Sequence, residues 1–257
     1  MRILLWHGYL LTGTGSNIYT ANVARAWRAQ GHAVVVMCQD RAARTLPFVD
    51  DYVDMPTQAL PKIEDGTCVV VRPDIGSVLP VYVYDEYEGF IVKRFTDLTD
   101  EELDIYTRRN VSAMEAVIRA FAPDAIITGH EVMGPYIAKR ACGATGTDYV
   151  AKLHGSALEY AVRLQERYLR YAIEGLSAAR AVVGGSRYMV DAAAAAIPGW
   201  HHKASVVNPG CDVELFGPAD AAPSGPPRLA YVGKLIPQKG VHHLLAALGS
   251  TRTPGLE

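Results

Sequence analysis

The sequence predicts an α/β fold built on a doubly wound parallel sheet. Short apolar runs alternate with longer amphipathic segments along most of the chain, which is the order of strands and helices in such sheets. Runs such as "HAVVVM" are apolar without alternation, as expected of strands that are buried on both faces. Together these two observations favour a Rossmann-like domain over an all-α or all-β fold.

Seven apolar segments are predicted as strands of this sheet: "MRILLW" at the start of the chain, then "HAVVVMCQD", "TCVVV", "PDAIITGH", "DYVAKLHG", "AVVGGS" and "KASVVNPG". The segment "PVYVY" (80–84) alternates between apolar and aromatic residues, so it is predicted as an extra strand or an ordered loop. Ligands of such folds bind in the crevice beyond the carboxyl ends of the strands. The residues that follow each strand are therefore the first place to look for chemistry.

Helices are predicted between these strands. The first carries Tyr19, Val23 and Trp27 at helical spacing and ends at Gly31. A later one, which includes the alanine run 192–196, is stopped by the Ile-Pro pair before residue 199.

Two further helices are predicted from capping boxes, in which a Ser or Thr and a glutamate three residues later satisfy the first backbone N–H groups. The stretch "TDEE" from Thr99 opens a helix that runs to about Phe121. The stretch "SALE" from Ser156 is predicted to open a long helix toward Ala179.

The composition is that of a globular protein with enough apolar residues for a core. Of 257 residues, 49% are hydrophobic and 20% charged, and the net charge of −2 does not indicate a nucleic-acid partner. Four widely spaced cysteines without a C-x-x-C pair argue against a zinc site or a disulfide framework, and we expect a cytoplasmic protein. No segment is apolar over the length of a bilayer, and peripheral membrane contact stays compatible with the sequence.

A change of composition divides the chain into two predicted domains. Residues 217–227 are rich in Pro, Gly and Ala and form a linker after a first domain of residues 1–216. From residue 228 onward, "LAYVGKL" is predicted as a buried strand and Val241 to Leu248 as a helix. One strand and one helix cannot bury a core, so residues 228–257 are expected to be the start of an incomplete second Rossmann-like domain.

The stretch "GTGSN" lies between the first strand and the first helix. Glycines at Gly13 and Gly15 let backbone N–H groups at the helix start approach a phosphate; a simple turn is the alternative. Asp40, at the end of the second strand, is placed to hydrogen-bond a ribose as in NAD-linked enzymes. The third glycine of the dinucleotide fingerprint is missing and the loop is long, so the stretch is weak evidence for NAD.

Two other stretches carry candidate chemistry. In "KLHGS", His154 ends a strand and precedes a glycine and a helix start, a position from which it can hydrogen-bond a sugar hydroxyl or handle a proton. In "GKLIPQKG", Lys234 and Lys239 flank a proline turn ahead of a helix, which suits a diphosphate. Taken separately, such a histidine is more often structural, and the lysines are as readily solvated loop charges.

In their order, these motifs resemble a retaining glycosyltransferase of family 4, which has the GT-B fold. The stretches that carry the resemblance lie within residues 1–44 and 122–248: "GTGSNIYTANVARAWRAQGHAVVVM", "PDAIITGH", "AKLHGS", "AVVGGSRYMVDAAAA", "ASVVNPGCDVELFGP" and "LAYVGKLIPQKGVHHLLAAL". The resemblance implies an N-terminal acceptor domain and a C-terminal domain that binds a nucleotide-sugar donor. It also implies hexosyltransferase-type sugar transfer with retention, without a metal or other cofactor.

The resemblance assigns roles to individual residues. It implies that His154 lies close to the transferred sugar, that Gly13 and Gly15 lie near the donor phosphates, and that Lys234 and Lys239 clamp the donor diphosphate. Positive charge beside a departing diphosphate stabilises the transition state, which is the work that a metal does in other transferases.

Three features depart from the family pattern. Lys234 stands where arginine is usual, which keeps the charge and loses the bidentate fork. Thr14 stands where glycine is frequent. The family's E-x7-E glutamate pair does not follow the lysines; Glu166 and Glu174 have that spacing but lie in the first domain, as ordinary helix-face charges. We therefore expect a sequence truncated in its donor domain, which binds donor weakly and turns over poorly alone.

The acceptor side is predicted from residues near the strand ends and from the middle of the chain. Asn17 and His130 are assigned to acceptor binding. So is Tyr87 in "YDEYEG", because tyrosine faces stack on sugar rings, although a solvated surface loop is an equal alternative. The acceptor is a sugar, a lipid or a small metabolite. Two other functions remain open: an NAD(P)-linked oxidoreductase and a non-catalytic sugar-binding module.

Overall fold

The structure is a computed structural model that describes residues 1–218, 225, 228–233 and 235–250. The chain divides into two compact units, Met1–Pro209 and Gly210–Glu257. The first unit contains a parallel sheet with helices on both faces, so the predicted α/β class is confirmed.

Eight strands form the main sheet of the first unit. They are β1 (Arg2–Trp6), β2 (Ala33–Met37), β3 (Asp51–Met55), β4 (Cys68–Pro73), β7 (Ala125–Gly129), β8 (Val150–Lys152), β9 (Ala181–Gly184) and β10 (Ala204–Val206). Their order is β10-β9-β8-β7-β1-β2-β4-β3, and every neighbouring pair is parallel. The direction of chain progression reverses at β1, between β7 and β2. The crevice beyond the carboxyl ends of β1 and β7 is thus the expected ligand site.

Two short strands form a separate parallel pair, β5 (Val78–Val81) and β6 (Ile91–Arg94). β5 overlaps the "PVYVY" segment, so an extra strand does form there, although it begins and ends earlier than the pattern suggested. The "YDEYEG" stretch lies in the connection between these two strands.

Six α-helices accompany the strands in the described part of the chain. They are α1 (Gly15–Ala29), α2 (Asp100–Phe121), α3 (Gly134–Thr145), α4 (Glu166–Ala178), α5 (Arg187–Ala196) and α6 (Val241–Ser250). The first capping box is confirmed: the Glu102 backbone N–H donates to Thr99 Oγ1 at 3.1 Å, and the Thr99 N–H donates to Glu102 Oε2 at 3.0 Å.

The second capping box was wrong, and one long helix does not form. Residues Leu158–Val162 adopt a π-helix, and a break follows before α4 begins at Glu166. The Glu159 carboxylate pairs with Arg163 at 3.2 Å instead of capping back. The Ser156 hydroxyl lies 3.5 Å from His130 Nδ1, so this segment is organised by the neighbouring strand end rather than by a local cap.

The sheet separates two hydrophobic clusters. Leu4 and Trp6 of β1 point into the larger cluster, which holds the apolar faces of α2, α3 and α4. Leu5 points into the smaller cluster with Ala24 of α1. This alternation along one buried strand is what a doubly wound sheet requires. It fixes α1 on the opposite face of the sheet from α2.

The second unit is described in part. α6 forms where a helix was predicted. Residues 228–233 form no strand, and Leu229 and Val232 are 55% and 97% exposed. Among the described residues, this segment has no neighbouring strand to take its backbone hydrogen bonds, so it does not form a strand. Most of the predicted linker 217–227 lies outside the described residues.

Candidate functional site

Three histidines meet at the carboxyl ends of the central strands. His7 directly follows β1 and His130 directly follows β7. One residue separates His154 from the end of β8. Their ring centroids are 5.8 Å apart for His7 and His130, 4.9 Å for His130 and His154, and 6.3 Å for His7 and His154. We call His7, His130 and His154 the histidine cluster. It lies at the point where the order of the strands reverses, as the position of ligand sites in such sheets predicts.

The start of α1 packs against the histidine cluster. His7 Nε2 donates to Asn17 Oδ1 at 2.8 Å, and His7 Nδ1 lies 3.2 Å from the Thr20 hydroxyl. The Tyr19 ring lies 5.6 Å from the His154 ring. His7 therefore ties the first turns of α1 to the ends of β7 and β8.

The glycine stretch leaves the beginning of α1 open. Gly13 has φ +89°, and an added Cβ at Gly13 or Gly15 meets no described atom within 4 Å. Thr14, the N-cap residue, makes no side-chain cap with the described residues, and the first turn carries no acidic side chain. The first N–H groups of a helix need partners and lie at its positive end, so this arrangement suits a bound anion.

Asn17, which was predicted to bind the acceptor, is buried and hydrogen-bonded to two neighbouring segments. Its side chain is 2% exposed, and its amide groups are taken by His7 and by the Thr12 carbonyl, to which Nδ2 donates at 2.6 Å. In this structure Asn17 holds the glycine stretch in place.

His130 and Tyr87, the other two predicted acceptor residues, are both near Tyr9. His130 is 1% exposed, and its ring lies 5.3 Å from the Tyr9 ring and 4.8 Å from the Tyr82 ring. Tyr87 is half-buried against the same core and close enough to Tyr9 to influence its ionisation. His130 Nε2 has no hydrogen-bond partner among the described residues.

Glu131 was missed by sequence reasoning. Its carboxylate is fully buried, and Oε1 accepts the backbone N–H groups of His154 at 3.0 Å and Gly155 at 2.6 Å. Burial raises the pKa of Glu131, and these backbone hydrogen bonds oppose the rise. An acidic residue directly after a buried strand was the available signal.

Burial controls the charge of the histidine cluster. It lowers the pKa of His7 to about 4 and that of His154 to about 3, and it places the pKa of His130 well below its ordinary value. All three rings are consequently neutral at pH 7. A neutral imidazole offers one donor and one acceptor, which suits the hydroxyl groups of a sugar.

The histidine cluster is not arranged as a metal centre. Both ring nitrogens of His7 already lie within hydrogen-bond distance of protein groups. Across the described ranges, no group of three or more His, Cys, Asp or Glu side chains is placed to hold a metal ion.

Asp40 does not serve a nucleotide ribose in this structure. It is 4% exposed, and its two carboxylate oxygens accept the backbone N–H groups of Leu11 and Ala42, each at 2.9 Å. The carboxylate thus fixes the loop after β1 and caps the turn after β2.

The predicted lysine pair belongs to the second unit. Lys239 is exposed at the end of a 3-10 turn, Pro237–Lys239, which Gly240 closes with φ +70°. Lys234 lies outside the described residues.

Within the described ranges, no helix combines the length and the apolar character needed to cross a bilayer.

Solved structures with a similar fold include two of Alr3699/HepE from Anabaena, in complex with UDP (18% identity, TM-score 0.61) and with UDP-glucose (15% identity, TM-score 0.56). A glycosyltransferase from Rickettsia africae ESF-5 is also similar, at 12% identity with a TM-score of 0.50. These alignments cover 98–99% of this chain, which spans only 51–59% of the length of those proteins. At such identities the likeness concerns the fold alone.

Comparison with curated protein sequences gave no match. A family model does match: the glycosyl transferase 4-like domain aligns with residues 14–210, from the glycine stretch before α1 to just beyond β10. That range takes in most of the first unit, including His130, Glu131 and His154. Because the match covers well over half of the sequence, the chain belongs to the glycosyl transferase 4-like domain family.

Proposed function

We propose that this chain acts in a glycosyltransferase that moves a sugar from a nucleoside-diphosphate sugar to an acceptor bound by the first unit. The observation that carries this proposal is the meeting of neutral His130 and His154 with the open start of α1 at the carboxyl ends of β1, β7 and β8. Hydroxyl partners and an anion site side by side suit a sugar that carries a phosphate.

Each part of the site has a role in this proposal. His154 hydrogen-bonds the transferred sugar, and Glu131 holds the backbone that carries His154. The N–H groups after Gly13 and Gly15 face the donor phosphates. His130 and Tyr87 line the acceptor side.

The chemistry that we propose follows the family resemblance. Transfer proceeds with retention at the anomeric carbon. It needs no metal, because Lys234 and Lys239 stabilise the departing diphosphate. A UDP-hexose is the first donor to test, since UDP and UDP-glucose are bound in the Anabaena Alr3699/HepE structures; a GDP-sugar is the second. All four cysteines are free, three of them buried, which supports a reducing compartment such as the cytoplasm.

An NAD(P)-linked oxidoreductase is disfavoured by Asp40. That function requires a carboxylate open to a ribose, whereas both oxygens of Asp40 are bonded to backbone groups. A sugar-binding module without transfer activity would use the same histidine cluster, and only a transfer measurement separates it from a transferase.

A thermal-shift comparison tests whether the chain binds a nucleotide sugar, which the proposal requires, and release of UDP or GDP in the presence of an acceptor tests transfer. UDP-glucose, GDP-mannose and NAD are added separately at millimolar concentration to the wild-type chain and to His154→Ala. We expect a nucleotide sugar to raise the melting temperature of the wild type, since a ligand that binds the folded state stabilises it. The shift should be smaller in His154→Ala.

Stabilisation by NAD instead of a nucleotide sugar would contradict the proposal, and so would an equal shift in His154→Ala. The Tyr188→Ala variant is a matched control, because Tyr188 is 83% exposed on α5. It should keep the wild-type shift.

A further inference from the structure

A cavity of about 210 Å³ lies between α1 and the strands β7, β8 and β9. Its wall is mostly apolar and aromatic, with Trp6, Tyr19 and Trp27 among the lining residues, and His154 and Lys152 also line it. All of its lining residues belong to the first unit. No carboxylate is among them.

Lys152 is the charged residue of this cavity. It is the last residue of β8 and is 6% exposed. Its Nζ atom is buried and has no hydrogen-bond partner among the described residues. Nζ lies over the Tyr19 ring, 5.2 Å from its centroid, in a cation–π contact.

A buried ammonium without an anionic partner is unfavourable. Removal from water penalises the charged form, and a cation–π contact returns only part of the lost solvation. Burial accordingly lowers the pKa of Lys152. A bound anion would favour the charged form and so raise the pKa of Lys152. The four-carbon stem of lysine is flexible enough to bring Nζ to a ligand in the cavity.

The surroundings of Lys152 leave space for such a ligand. Lys152 lines the cavity together with Tyr19 and His154. Gly185, on the loop after β9, lies close to Nζ without a side chain of its own: an added Cβ there would be 3.8 Å from Nζ. His154 lies on the same wall and is close enough for its ionisation to respond to the Lys152 charge.

We propose that Lys152 binds the carboxylate or phosphate group of an acidic sugar acceptor in this cavity, next to His154. The assignment to the acceptor rests on the proposed function, which places the acceptor in the first unit beside His130. The His130 and His154 rings are 4.9 Å apart, so an acceptor at His130 also reaches the mouth of this cavity at His154. The cavity is smaller than the roughly 300–1,000 Å³ of typical ligand pockets, so it takes one charged sugar rather than a whole nucleotide sugar.

Calorimetric titration tests this assignment with four probes: D-glucose 6-phosphate, D-glucuronate, D-glucose and inorganic phosphate. The proteins are the wild type, Lys152→Met and Lys139→Met. Methionine keeps the length of lysine without its charge. Lys139 is a matched control because it is bonded to Glu174 on the surface, 2.5 Å away.

We expect at least one charged sugar to bind the wild type more tightly than glucose. Loss of the ammonium should weaken that binding by roughly ten- to a hundredfold, the range of a hydrogen bond to a charged group. Lys139→Met should bind like the wild type. Without ligand, Lys152→Met should melt at the wild-type temperature or above it, since it removes an unpartnered buried charge.

The assignment is overturned if charged sugars bind no better than glucose or if their binding survives in Lys152→Met. It is also overturned if Lys152→Met fails to fold, which would make the lysine structural. Inorganic phosphate that binds as tightly as glucose 6-phosphate would also contradict a sugar acceptor. UDP-glucose and GDP-mannose are titrated in parallel. If a nucleotide sugar binds and the charged sugars do not, the inference fails and the proposed function stands. If the charged sugars bind and neither nucleotide sugar does, the anion site stands and the proposed function fails.

Discussion

His7 is a buried histidine, and its lowered pKa makes the free energy of unfolding depend on pH. Its folded pKa of about 4 lies below the ordinary value of 6.5, so the unfolded chain takes up the proton first as the pH falls. The free energy of unfolding should therefore decrease from pH 6.5 to about pH 4. For His7 alone the loss between pH 7 and pH 5 is about 2 kcal/mol.

The variant His7→Gln tests this prediction. Denaturant unfolding is measured at pH 7 and pH 5 for the variant and the wild type. The difference between the two pH values should be smaller in the variant by about 2 kcal/mol. Glu131 has the opposite effect on the free energy of unfolding: because its pKa is raised, the folded protein takes up this proton first as the pH falls. Glu131 is present in both proteins, so it does not affect the comparison. An identical pH dependence in both proteins would contradict the buried, neutral state of His7.

Gly134 is required where α3 starts against β1 and β7. An added Cβ would lie 2.4 Å from the Gly129 carbonyl oxygen and 2.8 Å from the Trp6 ring. The Gly129 carbonyl belongs to the backbone of the sheet and cannot move aside without disturbing it. Gly134→Ala should therefore reduce the free energy of unfolding by about 1–3 kcal/mol. The measurement is denaturant unfolding at pH 7.

Gly143 provides the control for Gly134 within the same helix. An added Cβ there meets no described atom within 4 Å. Gly143→Ala should be neutral or stabilising by about 0.5–1 kcal/mol, because alanine restricts the unfolded chain and favours helix. Equal destabilisation by both variants would show that the close approach at Gly134 is not the cause.

Among single residues, sequence reasoning found those that follow strands in recognisable motifs. His154 precedes a glycine and a helical turn, and it does lie with His130 at the strand ends. The roles of Asn17, Glu131 and Lys152 depend on contacts between distant segments, such as the acceptance of the His154 N–H by Glu131. No local pattern encodes which buried polar group meets which partner.

At the scale of elements, the capping box of α2 gives a direct test. Thr99→Ala removes the hydroxyl that accepts the Glu102 N–H, so it should reduce the free energy of unfolding by about 1 kcal/mol. Thr99→Ser keeps a hydroxyl at that position and should lose much less. Thermal and denaturant unfolding of the three proteins check the prediction; equal losses in both variants would argue that the hydroxyl is not the stabilising group.

Two elements that sequence reasoning missed have different physical reasons. β3 is an edge strand in which only Val53 is fully buried, so its apolar pattern is faint. The π-helix at Leu158–Val162 looked like the start of an α-helix, because its sequence favours helix in general. By contrast, β2 is buried along its whole length and α2 is long and capped, so both were predictable.

At the scale of the whole molecule, stability should reside in the first unit. Every buried hydrophobic side chain in the described part of the chain lies between Ile3 and Trp200. A chain that ends at Pro209 should thus fold and melt within a few degrees of the 257-residue chain. Circular dichroism melting of both proteins makes the comparison. A shortened protein without a cooperative transition would mean that residues after 209 complete the core.

The central claim is that the histidine cluster forms a sugar site. The most direct measurement is NMR of the histidine side chains in the labelled chain during titration with UDP-glucose and with the acidic sugars. The claim predicts that the resonances of His130 and His154 shift, while those of the exposed His201 and His202 stay in place. Resonances of His130 and His154 that are unchanged at millimolar ligand would contradict it.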